Sequence, residues 1–497
     1  MDISAFIPEI DLIYPEVFLA LWSFFLLCAG IFLSKKDYNV ISVTTLIGLV
    51  ATAIILVLNF NNYGTTFSDA FIADGFSNFF KVLFIIAGIL TVLMSGKYNA
   101  IEGIVKGEYY VLICFSILGM FIISSGNDLM VIYIGIELMA LSIYALVGFK
   151  KRDIRSNEAA LKYFVLGAFS SGILLYGISL LYGETSSTNI LEVQTALLQN
   201  GFSRLSILGI VLIIVGLAFK IAAVPFHLWC PDAYDGAPTA ITAFMSVAPK
   251  AAGFAAFLRI FTIAVIPAKD KWFILLWLLS AFTMIIGNVL AVAQDNVKRL
   301  LAYSSIAHAG YALMGIVAAG KLVQVADGRV IFSEEGRLAV YAVLFYMLAY
   351  TFMNLGAFTV VIFLRNNSLR GDRIADFSGL ARIKPFYAAA MGIFLLSLMG
   401  IPPMAGFVGK FYIFGAAIKA KLYYLAVIGI LTSAVSVYYY FKIIKAMYID
   451  KPSERFSLLV SKPLALVLVV SMIMTLLIGL YPGPFLNLAR ESFFIFM

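Results

Sequence analysis

Runs of about twenty apolar residues, separated by short polar or charged interruptions, recur from residue 12 to residue 494. As a helix rising about 1.5 Å per residue, each run is long enough to cross roughly 30 Å of hydrocarbon. Apolar windows fall near residues 12–33, 40–60, 71–95, 109–125, 128–149, 159–182 and 205–228. They continue near 238–262, 272–292, 299–319, 338–364, 386–418, 422–448 and 463–490. The pattern predicts an all-α integral membrane protein of about 14 transmembrane helices. The composition, 62% hydrophobic and 12% charged, leaves very little chain for a soluble domain. Between the sixth and seventh runs, residues 188–200 read either as a short helix lying at the interface or as a partly ordered loop.

Charge supplies an orientation. Most of the 35 Lys and Arg fall in alternate connections, beginning with Lys35 and Lys36. These connections include Lys150, Lys151, Arg152 and Arg155, and then Arg365, Arg370, Arg373, Arg382 and Lys384. Under the positive-inside rule these loops face the cytoplasm, and an even number of crossings puts both termini on the outer, periplasmic side. The net charge of +8 therefore follows membrane topology and does not call for a nucleic-acid partner. The N-terminus lacks the basic segment of a cleavable signal peptide, so the first helix is expected to remain.

Unusual residues recur with a five-helix period. The seventh run holds Lys220 followed by Pro225, and the twelfth holds Pro402 and Pro403 followed by Lys410. Because five is odd, two such units enter the membrane in opposite senses, which predicts inverted repeats of helices 4–8 and 9–13 with helices 7 and 12 broken. The expected organisation is three N-terminal helices over residues 1–108, a first repeat over 109–262, a second over 263–450 and a last helix over 451–497.

Four ionisable residues lie well inside their runs: Glu137 in VIYIGIELMALSIYAL, Lys220 in GLAFKIAAVPFHLW, Lys250 in MSVAPKAAGFAAFL and Lys410 in GIPPMAGFVGKFYIF. A central Lys or Asp costs about 2.5–3.5 kcal/mol on insertion, so the group costs roughly ten kcal/mol unless paired or hydrated. An ion or proton pathway is the reading that follows; a buried ion pair that fixes packing is the bland alternative for any one of them. Burial disfavours the charged form of a lysine and a nearby carboxylate favours it, so a moving partner can load and unload the amine. Glu137 is expected to pair with Lys220.

The prolines add free carbonyls beside these charges. Pro225 is expected to free that of Ile221, Pro249 that of Met245, and Pro402 and Pro403 those of Leu398 and Met399. His308 occupies the place in the tenth run that Glu137 occupies in the fifth, where it suits either a relay or a hydrogen-bonded packing role. His227 and Asp232, at the cytoplasmic end of the seventh run, read as a helix cap or a proton entrance.

Cys28, Cys114 and Cys230 have no metal-ligand spacing, and no phosphate- or dinucleotide-binding glycine motif is present. No redox or nucleotide chemistry is therefore expected within this chain.

At these residues the chain resembles the antiporter-like subunits of respiratory complex I, a family that also includes multisubunit sodium/proton antiporters. The most specific segments are DNVKRLLAYSSIAHAGY from Asp295 to Tyr311, PFHLWCPDAYDGAPT from Pro225 to Thr239, and GIPPMAGFVGKF from Gly400 to Phe411. IADFSGLARIKP, MSVAPKAA and lysine at position 410 are most similar to the N-type branch. The resemblance implies a proton-translocating membrane subunit of an NADH:quinone oxidoreductase in a bacterial inner membrane. It implies Glu137 and Lys220 as a modulating pair, with Lys250 and Lys410 as relays. FMN and iron–sulfur clusters would then belong to other subunits, and the partners would be neighbouring antiporter-like and small membrane subunits. The alternative is a subunit of a gradient-driven sodium/proton antiporter.

Overall fold

The computed structural model describes residues 9–32, 38–326, 329–365, 371–452 and 459–493. Lys35, Lys36 and Arg370, used above for orientation, lie outside the described residues. The N-terminal helices are α1 (Tyr14–Phe32), α2 (Tyr38–Leu58) and α3 (Gly75–Glu102). Next come α4 (Gly107–Ser125), α5 (Leu129–Val147), α6 (Ile154–Thr185), α7 (Ile190–Asn200), α8 (Arg204–Lys220), α9 (Trp229–Gly236) and α10 (Thr239–Arg259). They are followed by α11 (Lys269–Val292), α12 (Val297–Leu322), α13 (Glu334–Leu364), α14 (Leu380–Ile383), α15 (Pro385–Met399), α16 (Ala405–Lys419) and α17 (Tyr423–Tyr448). The chain ends with α18 (Lys462–Leu480) and α19 (Gly483–Glu491).

Twelve described helices are long and apolar enough to cross a membrane. Two further crossings are interrupted, one built from α8 and α9 and one from α15 and α16, which completes the expected set. α10 is buried along its whole length, α13 is buried from Ala342 to its end, and α12 is buried over most of its length. Around this centre, α1, α2, α6, α11 and α17 turn Leu, Ile, Val and Phe side chains outward, as lipid-facing helices do. Residues 190–200 form a helix, whose Ile190, Val193 and Leu197 are buried and whose N-terminus is capped by Asn189. Two small antiparallel hairpins, β1 (Gly64–Thr66) with β2 (Phe71–Ala73) and β3 (Val323–Ala326) with β4 (Arg329–Phe332), were not anticipated. Each follows an even-numbered crossing, so both lie at the end opposite the basic connections.

The inverted repeat is visible at atomic detail. After α8, the amide of Ala222 donates to Phe219 and that of Ala223 to Ala218, at 3.0 and 2.8 Å. After α15, the amide of Gly400 donates to Ser397 and that of Ile401 to Leu396, at 2.9 and 3.1 Å. Ala222 and Gly400 both adopt left-handed backbone angles, φ 59° and 87°. This is one helix-terminating motif used twice. Pro225 and Pro402–Pro403 therefore sit in full interruptions, as the expectation of broken seventh and twelfth helices requires, whereas Pro249 lies inside the continuous helix α10.

A second correspondence fixes register. A Cβ on Gly119 would meet the amide nitrogen of Met139 at 2.5 Å and the carbonyl oxygen of Gly135 at 2.7 Å. One on Gly287 would meet the same atoms of Ala307 and Tyr303, at 2.7 and 3.1 Å. The α4/α5 and α11/α12 pairs thus cross in the same way on small residues. That register aligns Glu137 with Ser305, so His308 lies one helical turn beyond the position the sequence suggested.

Candidate functional site

The polar side chains of the buried centre form a succession running from the first repeat into the second. Glu137, near the middle of α5, lies with Oε1 4.0 Å from Lys220 Nζ, and the side chains are 27% and 3% exposed. Lys220 is the last residue of α8, and its ammonium donates to Ser171 Oγ on α6 at 3.1 Å. The expected pairing is therefore present, as a loose contact. Glu137 Oε1 has no hydrogen-bond partner among the described residues. Gly253 of α10 packs on the stem of Lys220, where a Cβ would lie 3.8 Å from that of the lysine. Lys250 stands one turn earlier on the same face of α10.

Lys250 donates to Ser305 Oγ at 2.6 Å and lies over the ring of Tyr234, 5.7 Å from its centroid. The Met245 carbonyl freed by Pro249 accepts the Tyr234 hydroxyl at 3.4 Å. Ser305 belongs to α12, so this contact joins the last helix of one repeat to the second helix of the other. Three residues further along α12 is His308. Its Nδ1 shares a hydrogen bond with the Tyr346 hydroxyl at 2.5 Å, its Nε2 faces the Tyr440 hydroxyl at 3.4 Å, and Tyr440 in turn bonds Ser304. The imidazole also meets Tyr311 edge-on, with ring centroids 5.7 Å apart.

Tyr311 carries the succession to Lys410, whose ammonium lies 4.9 Å from its ring centroid. The Lys410 amine donates to the carbonyls of Leu398 and Met399, both at 3.0 Å, and to Ser433 Oγ at 2.9 Å. These carbonyls are the two that Pro402 and Pro403 were expected to free. The repeat aligns Leu398 with Lys220, so Lys220 is itself the last residue of the first half of one broken helix, and the Lys410 ammonium sits on the corresponding carbonyls of the other. The C-terminal end of such a half carries about half a negative charge, which favours a cation. The two lysines reach it from opposite sides of their interruptions.

At the basic end a cavity of about 1060 Å³ opens beside the first interruption, lined by Arg155, Lys162, Asp232, Asp235, Arg299 and Arg373 among others. Lys162 lies 3.0 Å from Asp232 on the wall of this cavity. The two most specific sequence segments meet at this cavity. Arg299 lies 2.7 Å from Asp232, Asn296 donates to Asp235 at 2.9 Å, and Lys298 donates to the carbonyls of Asp235 and Ala237 at 2.8 and 2.7 Å. Three residues at the start of α12 thereby hold the C-terminal end of α9. Asp232 is an ion-pair anchor in this arrangement. His227 is buried in the interruption with Nδ1 unpartnered among the described residues, away from the contacts that link the other groups.

Sequence reasoning did not find the tyrosines Tyr311, Tyr346 and Tyr440, which count as apolar in any hydropathy window. It also passed over the buried pairs Lys81–Glu16 and Arg259–Asp74, each 2.7–2.8 Å apart. Among the described residues, no group of three or more His, Cys, Asp or Glu side chains is placed to hold a metal ion.

Residues 126–436 match the family described as NADH:quinone oxidoreductase/Mrp antiporter, transmembrane. NADH-quinone oxidoreductase subunit N of Trichlorobacter lovleyi is 42% identical over 487 residues, covering 97% of each chain. A chain of respiratory complex I from Thermus thermophilus superposes with a TM-score of 0.79 at 33% identity, covering 96% of this chain and 99% of that one. A chain of the Mrp complex from Dietzia sp. has a TM-score of 0.82 at 20% identity and covers 97% of both, a likeness of fold alone.

Proposed function

Since the chain belongs to the NADH:quinone oxidoreductase/Mrp antiporter transmembrane family, as one of its N-type members, we propose that it is the membrane subunit of such an oxidoreductase that translocates protons. The driving redox chemistry, with its FMN and iron–sulfur centres, belongs to other subunits, and this chain contributes proton transfer. It works in a hetero-oligomer beside other membrane subunits, with its basic end in the cytoplasm and both termini outside.

The observation that carries this reading is the paired placement of Lys220 and Lys410 at equivalent broken-helix ends, with Lys250, Ser305, His308 and Tyr311 between them. A proton enters from the cavity at the basic end and reaches the amine of Lys220 or Lys250. Glu137 favours the charged form of Lys220 while it stays near, and withdrawal of the carboxylate releases the proton. At 4 Å and an effective dielectric constant near 20, that attraction is worth about 4 kcal/mol, enough to load and unload a site. Ser305, His308 and the tyrosine hydroxyls pass the proton to Lys410 in the second repeat, from which it leaves on the outer side.

The test is Lys410→Ala in the assembled complex, with NADH oxidation and acidification of reconstituted vesicles measured together. Pumping is expected to fall while the complex stays assembled; undiminished pumping would leave only a scaffold. Copurification separates the antiporter alternative, because flavin and iron–sulfur subunits would accompany an oxidoreductase subunit and would be missing from an antiporter.

A further inference from the structure

Two buried ion pairs lie among the N-terminal helices and the far end of α10, apart from the relay. In the first, Arg259 Nη2 is 2.8 Å from Asp74 Oδ1, with both side chains 1% exposed. Arg259 Nε also donates to the Ser124 carbonyl at 2.9 Å, and Asp74 caps α3 by accepting from the Ser77 amide at 2.7 Å. The guanidinium lies over the Phe76 ring, 4.8 Å from its centroid. An arginine does not give up its proton in a protein, so this pair is a fixed tie between α10 and α3.

The pair Glu16–Lys81 is built otherwise. Lys81 Nζ lies 2.7 Å from Glu16 Oε1, with side chains 1% and 8% exposed. Neither Glu16 oxygen has a hydrogen-bond partner of good geometry among the described residues. Around the ammonium stand the ring faces of Phe71 and Phe121, at 5.3 and 6.0 Å. A buried pair that serves stability needs further hydrogen bonds to offset desolvation, and Arg259–Asp74 has them through Arg259 Nε and Asp74 Oδ1, although Asp74 Oδ2 has no partner among the described residues. Glu16–Lys81 instead shares the construction of Glu137–Lys220: a titratable amine, an under-bonded carboxylate and few other polar contacts.

We propose that Glu16 and Lys81 form a further proton-exchanging site, in the N-terminal three-helix unit, which the relay from Glu137 to Lys410 does not include. The site lies toward the end that carries the hairpins, since Glu16 is the third residue of α1 and Lys81 the seventh of α3. Loading transfers one proton from hydronium in the water at that end to the Glu16 carboxylate, leaving a carboxylic acid beside the ammonium. Unloading returns it to water, and no other bond changes. This inference rests on the proton-translocating reading above.

The experiment compares Glu16→Gln, Lys81→Met and the double variant in the assembled, reconstituted complex, with Lys410→Ala in the same series. Pumping per NADH oxidised is expected to fall about tenfold or more in each single variant and to stay low in the double. Infrared difference spectra between oxidised and reduced complex should lose a protonated-carboxyl band in Glu16→Gln. A double variant that pumps like the wild type would overturn the proposal, since two neutral side chains replace a mere tie without loss of function. If Lys410→Ala also pumps normally, the relay reading fails; if it alone is impaired, only this inference fails. Should the neutral variants not assemble, Glu16→Asp decides: a shifted carboxyl band supports the site and an unchanged spectrum overturns it.

Discussion

Gly406, in the first turn of α16, offers a test of the relay that touches none of its charges. A Cβ at this position would lie 1.8 Å from the Ser397 carbonyl oxygen and 3.0 Å from Met353 Sδ. Contacts of real Cβ atoms essentially never fall below 3.0 Å, so Gly406→Ala must part α15 and α16 by about 1.2 Å. The Gly406 amide, which donates to Ser397 Oγ at 3.0 Å, offers no slack. Lys410 is one turn further along α16, and its ammonium reaches back to the end of α15 at Leu398 and Met399, 3.0 Å from each carbonyl. The same displacement stretches those contacts to about 4.2 Å, beyond hydrogen-bonding range. Hydrogen bonds to a charged group contribute about 1.5–3 kcal/mol each, so the hold on the ammonium weakens by about 3–6 kcal/mol. A misplacement of about 1 Å commonly costs about 10²-fold in rate, and a loss of pumping of that order is expected. The assay is vesicle acidification driven by NADH, with assembly followed on native gels. Gly415→Ala is the control, because the same helix leaves open space around Gly415. An assembled Gly406→Ala complex that pumps within about twofold of the wild type would refute the coupling of helix separation to the lysine.

Two further outcomes follow from single contacts. Ser305→Ala removes the acceptor 2.6 Å from the Lys250 ammonium, and pumping is expected to drop about tenfold or more for a bond of about 1.5–3 kcal/mol; an unchanged proton-to-electron ratio would show that the contact is only packing. Lys298→Met removes two bonds to the end of α9, so amide exchange across residues 229–237 should accelerate about tenfold or more by mass spectrometry, and equal protection in the variant would show that Arg299 and Asn296 suffice.

Much of the architecture was open to reading because lipid allows few solutions. Each crossing must satisfy its own backbone, so run lengths nearly fix the helix count. The carbonyls of Leu398 and Met399 were predictable from Pro402 and Pro403 alone, since a missing N–H acts through covalent geometry. The helix stop at Ala222 was not, because a non-glycine residue in the left-handed region carries no sequence signal, whereas Gly400 does. His308 was misaligned by one turn because register was counted from run edges, which are uncertain by a few residues. Glu16, Arg259 and Asp74 fall near the ends of apolar runs, where a polar side chain is normally expected to reach water, whereas Lys81 stands ten residues into its run and was passed over. Their burial comes from neighbouring helices distant in sequence, which hydropathy along a single run does not contain.

The level of the relay groups within the membrane has an electrical consequence. Glu137 lies near the middle of α5, Lys250 of α10 and His308 of α12, and Lys220 and the Lys410 ammonium mark two mid-helix interruptions. On the proposed relay, a proton passing among them would travel largely parallel to the bilayer plane. Displacement parallel to that plane crosses little of the voltage drop and does little electrical work. The roughly 2.3 kcal/mol that each 100 mV demands of an elementary charge then falls on the two perpendicular legs, entry and exit. Applied potential should therefore alter the rates of those legs strongly, while transfer between the halves proceeds almost indifferent to the voltage.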